Sequence, residues 1–124
     1  MPTGKKKILI ADDDQDFSII LRFWLEDNGY EALVADNGSQ VVEMALSERP
    51  DLILLDYRMP EGSGLVVLNN LKEFLKERMM PVIIVTGIKM HNLNELCKNA
   101  GANDFIMKPY EKAELLAKIR ALLP

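Results

Sequence analysis

Four short apolar segments of this chain end in side chains that can carry out chemistry. The segments are residues 7–11, 52–55, 82–86 and 104–107, and the polar residues at their ends are Asp12, Asp13, Asp56, Thr86 and Lys108. If the segments lie side by side as parallel strands, their carboxyl ends meet at one edge of a sheet, where ligands bind in such folds. We therefore expect three carboxylates, one hydroxyl and one ammonium group to share a site.

A cluster of three carboxylates is expected to recruit a cation. Two unit charges about 4 Å apart repel by about 4 kcal/mol at an effective dielectric constant of about 20. Oxygen ligands in an open site suit Mg²⁺ or Mn²⁺. Lys108 offsets part of the charge, and Thr86 and the backbone N–H of Gly87 can donate hydrogen bonds to an anion. This combination is typical of phosphoryl transfer, with Asp56 as the nucleophile that forms an aspartyl phosphate.

Strands and helices are predicted to alternate along the chain. Apolar runs rich in β-branched residues predict five strands, at residues 7–11, 31–35, 52–55, 82–86 and 104–107. Helical spacing of apolar residues predicts helices between them, with the fourth helix at residues 91–99. The alternation indicates an α/β fold with one doubly wound parallel sheet and helices on both faces. Residues 52–55 (LILL) show no polar alternation, so both faces of that strand should be covered.

The first helix has recognisable ends and one apolar stripe. Asp14 is its predicted N-cap, and Asn28-Gly29 is predicted to end it. The stripe is expected to face the core and consists of Phe17, Ile20, Leu21, Trp24 and Leu25.

The composition excludes several classes of function. Apolar residues make up 48% of the 124 residues, which suits one folded domain, and the net charge of -4 argues against unaided binding to DNA or RNA. The single cysteine, Cys97, cannot form an internal disulfide and fits a reducing cytoplasm. No apolar run approaches the roughly 20 residues of a membrane span.

The order of these residues resembles the receiver domain of bacterial two-component response regulators, as in chemotaxis regulators. The resemblance covers about residues 6–123 and implies a single receiver domain over residues 1–124. The segments that carry it are Asp12-Asp13, Asp56-x-x-Met59-Pro60, Thr86, GANDF (101–105) and Lys108-Pro109. It implies a flavodoxin-like fold of five strands, in the order 2-1-3-4-5, and five helices.

The resemblance also implies a role for each site residue. Asp56 would accept a phosphoryl group from a sensor histidine kinase or phosphotransfer protein. Asp13, Asp56 and the backbone carbonyl of Arg58 would bind Mg²⁺, with Asp12 acting through water. Thr86, Gly87 and Lys108 would bind the phosphate.

Three further residues would support the switch and the loops. Phe105 would move inward behind Thr86 after phosphorylation. Pro109 would be a cis-proline that aims Lys108, and Gly64 would relieve crowding in the loop after Pro60.

Arg58 and Ile88 would border the mouth of the site, where residues can tune the access of water and so the lifetime of the phosphoryl group.

The expected output is a changed surface on the fourth helix, fifth strand and last helix. That surface would alter binding to a downstream effector protein or domain. The chain would be a phosphoacceptor that assists its own phosphorylation and dephosphorylation rather than an enzyme. No direct contact with nucleic acid or membrane is expected. The protein would be cytoplasmic, whether it stands alone or forms part of a larger regulator.

The last helix resembles that of receivers joined to winged-helix DNA-binding domains, which often dimerise through this face by acid–base pairs. Residues that fit the charge pattern are Asp104, Glu114, Lys118 and Arg120. Asn94 and Ala100, however, stand where charged partners would be expected in the fourth helix, which argues against the usual dimer.

Three rival functions stay open at this point. A haloacid-dehalogenase-like, Mg²⁺-dependent phosphohydrolase would carry a second acid two residues after the nucleophile, whereas Tyr57-Arg58 follow Asp56. A flavodoxin-like FMN binder would need a phosphate loop after strand one, and the acidic run 12–14 would repel the phosphate. A docking module that is never phosphorylated would not need the full set of site residues.

Overall fold

Strands and helices alternate in the computed structural model, which describes residues 4–60, 62–76, 79–87, 89 and 92–124. The strands are β1 (Lys7–Ala11), β2 (Glu31–Ala35), β3 (Leu52–Asp56), β4 (Arg58–Met59), β5 (Gly62–Ser63), β6 (Val82–Thr86) and β7 (Asp104–Met107). The helices are α1 (Gln15–Asp27), α2 (Gly38–Glu48), α3 (Gly64–Phe74), α4 (Leu93–Asn99) and α5 (Lys112–Leu122).

Five strands form one parallel sheet in the order β2-β1-β3-β6-β7. This order is the predicted 2-1-3-4-5 once the two-residue strands β4 and β5 are left out of the numbering. Ala11 pairs with Leu55 and Asp56 pairs with Val85, so the carboxyl ends of β1, β3 and β6 lie level with one another. The predicted fold class is therefore confirmed.

The short strands β4 and β5 form an antiparallel ribbon that the sequence did not predict. Arg58 pairs with Ser63, and Met59 pairs with Gly62. Each strand has two residues, too few for an alternating pattern to be visible in the sequence. The ribbon joins the end of β3 to the start of α3, beside the predicted site.

A hydrophobic core covers each face of the sheet. Ile53 and Leu55 of β3 belong to the core that also contains buried residues of α2, α3 and α4. Leu52 and Leu54 belong to the opposite core, with buried residues of α1 and α5. All five residues of β3 are buried, as its unbroken apolar run predicted.

The ends of α1 follow the predicted capping residues. The Phe17 backbone N–H donates to Asp14 Oδ1 at 3.1 Å, and Asn28 ends the helix before Gly29, whose φ is 93°. A left-handed φ of this kind favours glycine.

The predicted apolar stripe of α1 is only partly correct. Leu21 and Leu25 are buried, whereas Phe17 and Trp24 are half-buried at the edge of the core. Ile20 is 61% exposed, so the expectation that it faces the core was wrong. The five apolar positions span a wider arc of the helix than the sheet covers, and Ile20 lies at the outer side of that arc.

The fourth helix begins later than predicted. It runs over Leu93–Asn99 rather than over 91–99, and residue 91 lies outside the described residues. Gly101, with a φ of 106°, follows its C-terminal end. None of the helices in the described part of the chain has the length and apolarity that a membrane-spanning helix needs.

Candidate functional site

Three aspartates meet at the carboxyl ends of two neighbouring strands. Asp12 and Asp13 directly follow β1, and Asp56 is the last residue of β3. One carboxylate oxygen of each lies within 4.8 Å of those of the other two. Asp12 is 4% exposed and Asp56 is 9% exposed, whereas Asp13 is open to solvent. The cluster thus has a buried floor and one exposed carboxylate at its rim.

Lys108 reaches this cluster from β7, across the intervening strand β6. Its Nζ donates to Asp12 Oδ2 at 2.9 Å and to Asp56 Oδ2 at 3.1 Å. The Lys108 backbone N–H donates to the Thr86 carbonyl at 2.7 Å, which continues the pairing of β7 with β6. The peptide bond between Lys108 and Pro109 is cis.

The second oxygen of each buried carboxylate is held by the backbone. Asp12 Oδ1 accepts from the backbone N–H of Asp14, and Asp56 Oδ1 accepts from that of Arg58, each at 3.0 Å. Both carboxylates therefore have one oxygen on Lys108 and the other on an N–H two residues later in the chain. This arrangement fixes their orientation before any ligand binds.

Burial and charge shift the pKa values of Asp56 and Lys108. Burial raises the pKa of the Asp56 carboxyl above its ordinary value, although the Arg58 N–H and the charge of Lys108 oppose the rise and that of Asp12 adds to it. Burial alone would lower the pKa of the Lys108 ammonium. The hydrogen bonds to Asp12 and Asp56 and their charges outweigh burial, so the pKa of Lys108 is raised. The lysine is therefore held in its charged form.

An open cleft of about 920 Å³ lies over the cluster, and its walls include both acidic and basic groups. Its lining includes the carboxylates of Asp13 and Asp56 and the cations of Arg58 and Lys89. Thr86 lines the cleft although the residue is only 1% exposed. A small anion can therefore reach Asp56 from solvent.

Gly64 lies where α3 starts against the end of β3. Its N–H donates to the Tyr57 carbonyl at 2.6 Å, and a Cβ at this position would lie 2.9 Å from Tyr57 Cα. Real Cβ atoms essentially never lie this close to another heavy atom. The loop that presents Asp56 can therefore pack against α3 only with glycine here.

Phe105 lies in β7 and is half-buried against the core that contains α4. It pairs with Ile84, two residues before Thr86 on the neighbouring strand. Ile88, predicted to border the mouth of the site, lies outside the described residues.

The acidic cluster can hold a metal ion. It offers oxygen atoms from three carboxylates within a short distance of one another, and one of the three is exposed to solvent. Hard divalent cations prefer such ligands and retain water on their open side. The donor set therefore fits the divalent ion expected from the sequence.

Comparison with known proteins identifies the family. The family model described as "Response regulator receiver domain" matches residues 8–120. This chain belongs to the response regulator receiver domain family.

Two curated relatives of this receiver domain are transcriptional regulators. The alkaline phosphatase synthesis transcriptional regulatory protein PhoP of Bacillus subtilis (strain 168) is 32% identical over 118 residues, covering 95% of this chain and 48% of the relative. The transcriptional regulatory protein CpxR of Klebsiella pneumoniae subsp. pneumoniae (strain HS11286) is 37% identical over 117 residues, covering 94% and 49%. The chain thus spans about half the length of these relatives.

A solved structure supports the same family. The BeF3-activated N-terminal receiver domain of Klebsiella pneumoniae RstA matches with a TM-score of 0.85 and 27% identity, covering 95% of this chain and 98% of that one. The resemblance stated from the sequence is therefore confirmed at the level of family and fold.

The receiver domain contains site residues that the sequence analysis did not single out. Lys89 lines the cleft, three positions after Thr86. Its place just beyond the carboxyl end of β6 was a signal in the sequence that could have identified it. Phe17 lies under the Lys108 ammonium, with Nζ 4.5 Å from the ring centroid. The sequence assigned Phe17 to an apolar stripe, and a helical pattern alone cannot show that a ring faces a cation.

Two of the four residues that fit the charge pattern of a dimer interface, Asp104 and Lys118, pair with each other within the chain. Lys118 Nζ lies 3.2 Å from Asp104 Oδ1, so this acid–base pair joins α5 to β7 of the same molecule. The charge pattern that suggested contacts between two copies is met in part by a contact inside one copy.

Proposed function

We propose that this receiver domain is a phosphorylation-dependent signalling switch whose Asp56 accepts a phosphoryl group from a sensor histidine kinase or phosphotransfer protein. The observation that carries the proposal is the convergence of Asp12, Asp13 and Asp56 within 4.8 Å, with Lys108 Nζ 3.1 Å from Asp56. A nucleophilic carboxylate, a counter-cation and a ligand set for a metal ion are the parts that phosphoryl transfer requires.

Mg²⁺, or Mn²⁺ in its place, is the proposed cofactor. Asp13, Asp56 and the backbone carbonyl of Arg58 would bind it, with Asp12 acting through water. When bound, the ion neutralises negative charge on the phosphoryl oxygens during transfer. The clustered carboxylates supply the oxygen ligands that such an ion prefers.

The transfer step uses Asp56 as nucleophile. A carboxylate oxygen of Asp56 attacks phosphorus, and the bond from phosphorus to the donor nitrogen breaks with its electron pair passing to that nitrogen. Lys108 pairs with a phosphoryl oxygen, while the Thr86 hydroxyl and the Gly87 backbone N–H donate to others. Thr86 and Gly87 line the open cleft and Lys108 Nζ lies 3.1 Å from Asp56 Oδ2, so negative charge that develops on the phosphoryl group would meet fixed donors.

The proposed switch runs from Thr86 to Phe105. A phosphoryl group adds about 1.5 to 2 negative charges and strong acceptor oxygens, which attract the Thr86 hydroxyl. The space that Thr86 leaves then admits Phe105, which changes the surface formed by α4, β7 and α5. Moving an equilibrium from 1:99 to 99:1 takes about 5.5 kcal/mol, which a few charge-assisted hydrogen bonds of about 1.5–3 kcal/mol each can supply.

The changed surface would alter binding to a downstream effector protein or domain. The proposed receiver unit, with a core at about residues 6–123, binds neither nucleic acid nor membrane directly. It acts in the cytoplasm, where ATP is available to the kinase. The chain assists the phosphorylation and dephosphorylation of its own Asp56 and does not turn over a separate substrate.

Incubation with Mg²⁺ and acetyl phosphate tests the proposal. Intact-protein mass spectrometry should detect one phosphoryl adduct on the unmodified sequence and none on Asp56→Asn, which keeps the shape of the side chain but loses the nucleophile. Asp104→Asn removes a carboxylate away from the cluster and should still form the adduct.

Two results would contradict the switch. An adduct that persists in Asp56→Asn would place the phosphoryl group on another residue. Hydrolysis of many phosphate ester molecules per protein would instead favour a phosphohydrolase.

A further inference from the structure

Phe17 lies against the ammonium group at the centre of the site. Lys108 Nζ is 4.5 Å from the centroid of the Phe17 ring. The same nitrogen donates to Asp12 Oδ2 and Asp56 Oδ2 at 2.9 and 3.1 Å. An ammonium group has three N–H donors, and two carboxylates occupy one side of it. The aromatic face occupies another side, where water would otherwise solvate the charge.

The Phe17 ring is fixed by two segments that also build the site. Its backbone N–H donates to the N-cap Asp14, so the residue lies in the first turn of α1, directly after the Asp12-Asp13 pair. Its ring meets Tyr110 edge to face, with centroids 6.4 Å apart and an angle of 81° between planes. Tyr110 follows Lys108-Pro109 in the chain. Phe17 is therefore held by the start of α1, which follows Asp12-Asp13, and by the segment that follows Lys108, and both segments adjoin site residues.

We propose that Phe17 is a positioning residue for phosphoryl transfer, because its ring face holds the Lys108 ammonium over the gap between Asp12 and Asp56. This inference rests on the proposed function of Asp56. A cation over the face of an aromatic ring is attracted by the negative charge of that face. The ring thereby disfavours rotation of the lysine away from the carboxylates toward solvent, to which 27% of its side chain is exposed.

Lys118 provides a comparison within the same molecule. Its side chain is 26% exposed and pairs with Asp104 at 3.2 Å. Lys108 and Lys118 thus have nearly equal exposure and each has a carboxylate partner. A reagent that acylates amines can therefore report how firmly Lys108 is held, with Lys118 as the internal reference.

Phe17→Leu is the test variant, and Phe17→Tyr is the matched control that keeps the ring face. With acetyl phosphate and Mg²⁺, Phe17→Leu should form the adduct about fivefold more slowly, as expected from a contact worth about 1 kcal/mol. Phe17→Tyr should stay within about twofold of the unmodified rate. Lys108 should be acylated faster in Phe17→Leu, while Lys118 is unchanged. Circular dichroism checks the fold, and Phe17→Met replaces Phe17→Leu if the latter does not fold.

A double-mutant cycle with Lys108→Met separates positioning from packing. If Phe17 acts through the ammonium, Phe17→Leu should cause no further loss of rate once Lys108 is methionine. Equal loss in both backgrounds, or unchanged rate and unchanged Lys108 acylation in Phe17→Leu, would overturn the inference. If the unmodified protein forms no adduct, the proposed function fails, and the acylation comparison alone still decides whether Phe17 holds Lys108.

Discussion

Tyr110 should report the site through its titration. Burial raises the pKa of its phenol to about 12, with the charge of Lys108 lowering it and that of Asp12 raising it. The folded state therefore retains a proton that the unfolded state has lost between pH 10.0 and about 12. The contribution of this group to stability is fully present below that window, and it declines as the pH rises through it.

Two measurements check this expectation. The ultraviolet absorbance of phenolate should show a late titration step near pH 12 that is missing in Tyr110→Phe. Unfolding by urea at several pH values should show a steeper fall in the free energy of unfolding for the unmodified protein than for Tyr110→Phe. Identical slopes would mean that the phenol is not protected from ionisation in the folded state.

Individual site residues differ in how far the sequence could predict them. Asp12, Asp56 and Lys108 were predicted to meet because each follows a strand, and parallel strands bring such positions to one edge. The structure brings them within hydrogen-bonding distance. Phe17 was not predicted to join them, because its contact with Lys108 depends on the direction of a ring on a helix rather than on a strand end.

The junction between β3 and α3 constrains the element that presents Asp56. Gly64→Ala would place a Cβ 2.9 Å from Tyr57 Cα and 3.3 Å from the Asp56 carbonyl, both backbone atoms. Relief requires a shift of α3 or of the loop, which should lower the free energy of unfolding by roughly 1–3 kcal/mol. The shift should also slow adduct formation, since Arg58 in this loop donates its N–H to Asp56.

Gly87→Ala is the matched control for Gly64→Ala. A Cβ on Gly87 would have the Lys108 Cβ at 3.8 Å as its nearest neighbour, an ordinary contact. Its stability should change by no more than about 0.5 kcal/mol, and its backbone N–H is retained. Urea unfolding of the two variants compares them, and equal losses of stability would show that the close contact at Gly64 is not the cause.

The elements that were predicted correctly from the sequence are those whose patterns extend over at least four residues. Strands β1, β2, β6 and β7 have the predicted bounds, because apolar runs of four or five residues mark buried parallel strands. The β4–β5 ribbon was missed, since two-residue strands carry no pattern. The exposure of Ile20 was also missed, because it depends on how much of α1 the sheet covers.

At the scale of the whole molecule, the acidic cluster exists only when the fold is intact. Asp12 and Asp13 are more than 40 positions away from Asp56 in the chain, and the pairing of β1 with β3 brings them together. An ion that binds the cluster therefore stabilises the folded state by mass action. At about ten times the dissociation constant the gain is about 1.4 kcal/mol, or roughly 3–6 °C in melting temperature for a domain of this size.

Asp13→Asn should lose most of the rise in melting temperature that Mg²⁺ causes, because it removes the exposed carboxylate of the cluster. Without the ion, this variant should be at least as stable as the unmodified protein, since one repulsive charge is gone. Asp104→Asn, which alters a carboxylate paired with Lys118 instead, should keep the full rise. Thermal unfolding with and without Mg²⁺ measures all three. An equal rise in all of them would mean that the ion binds outside the cluster, and the metal assignment on which phosphoryl transfer to Asp56 depends would then be wrong.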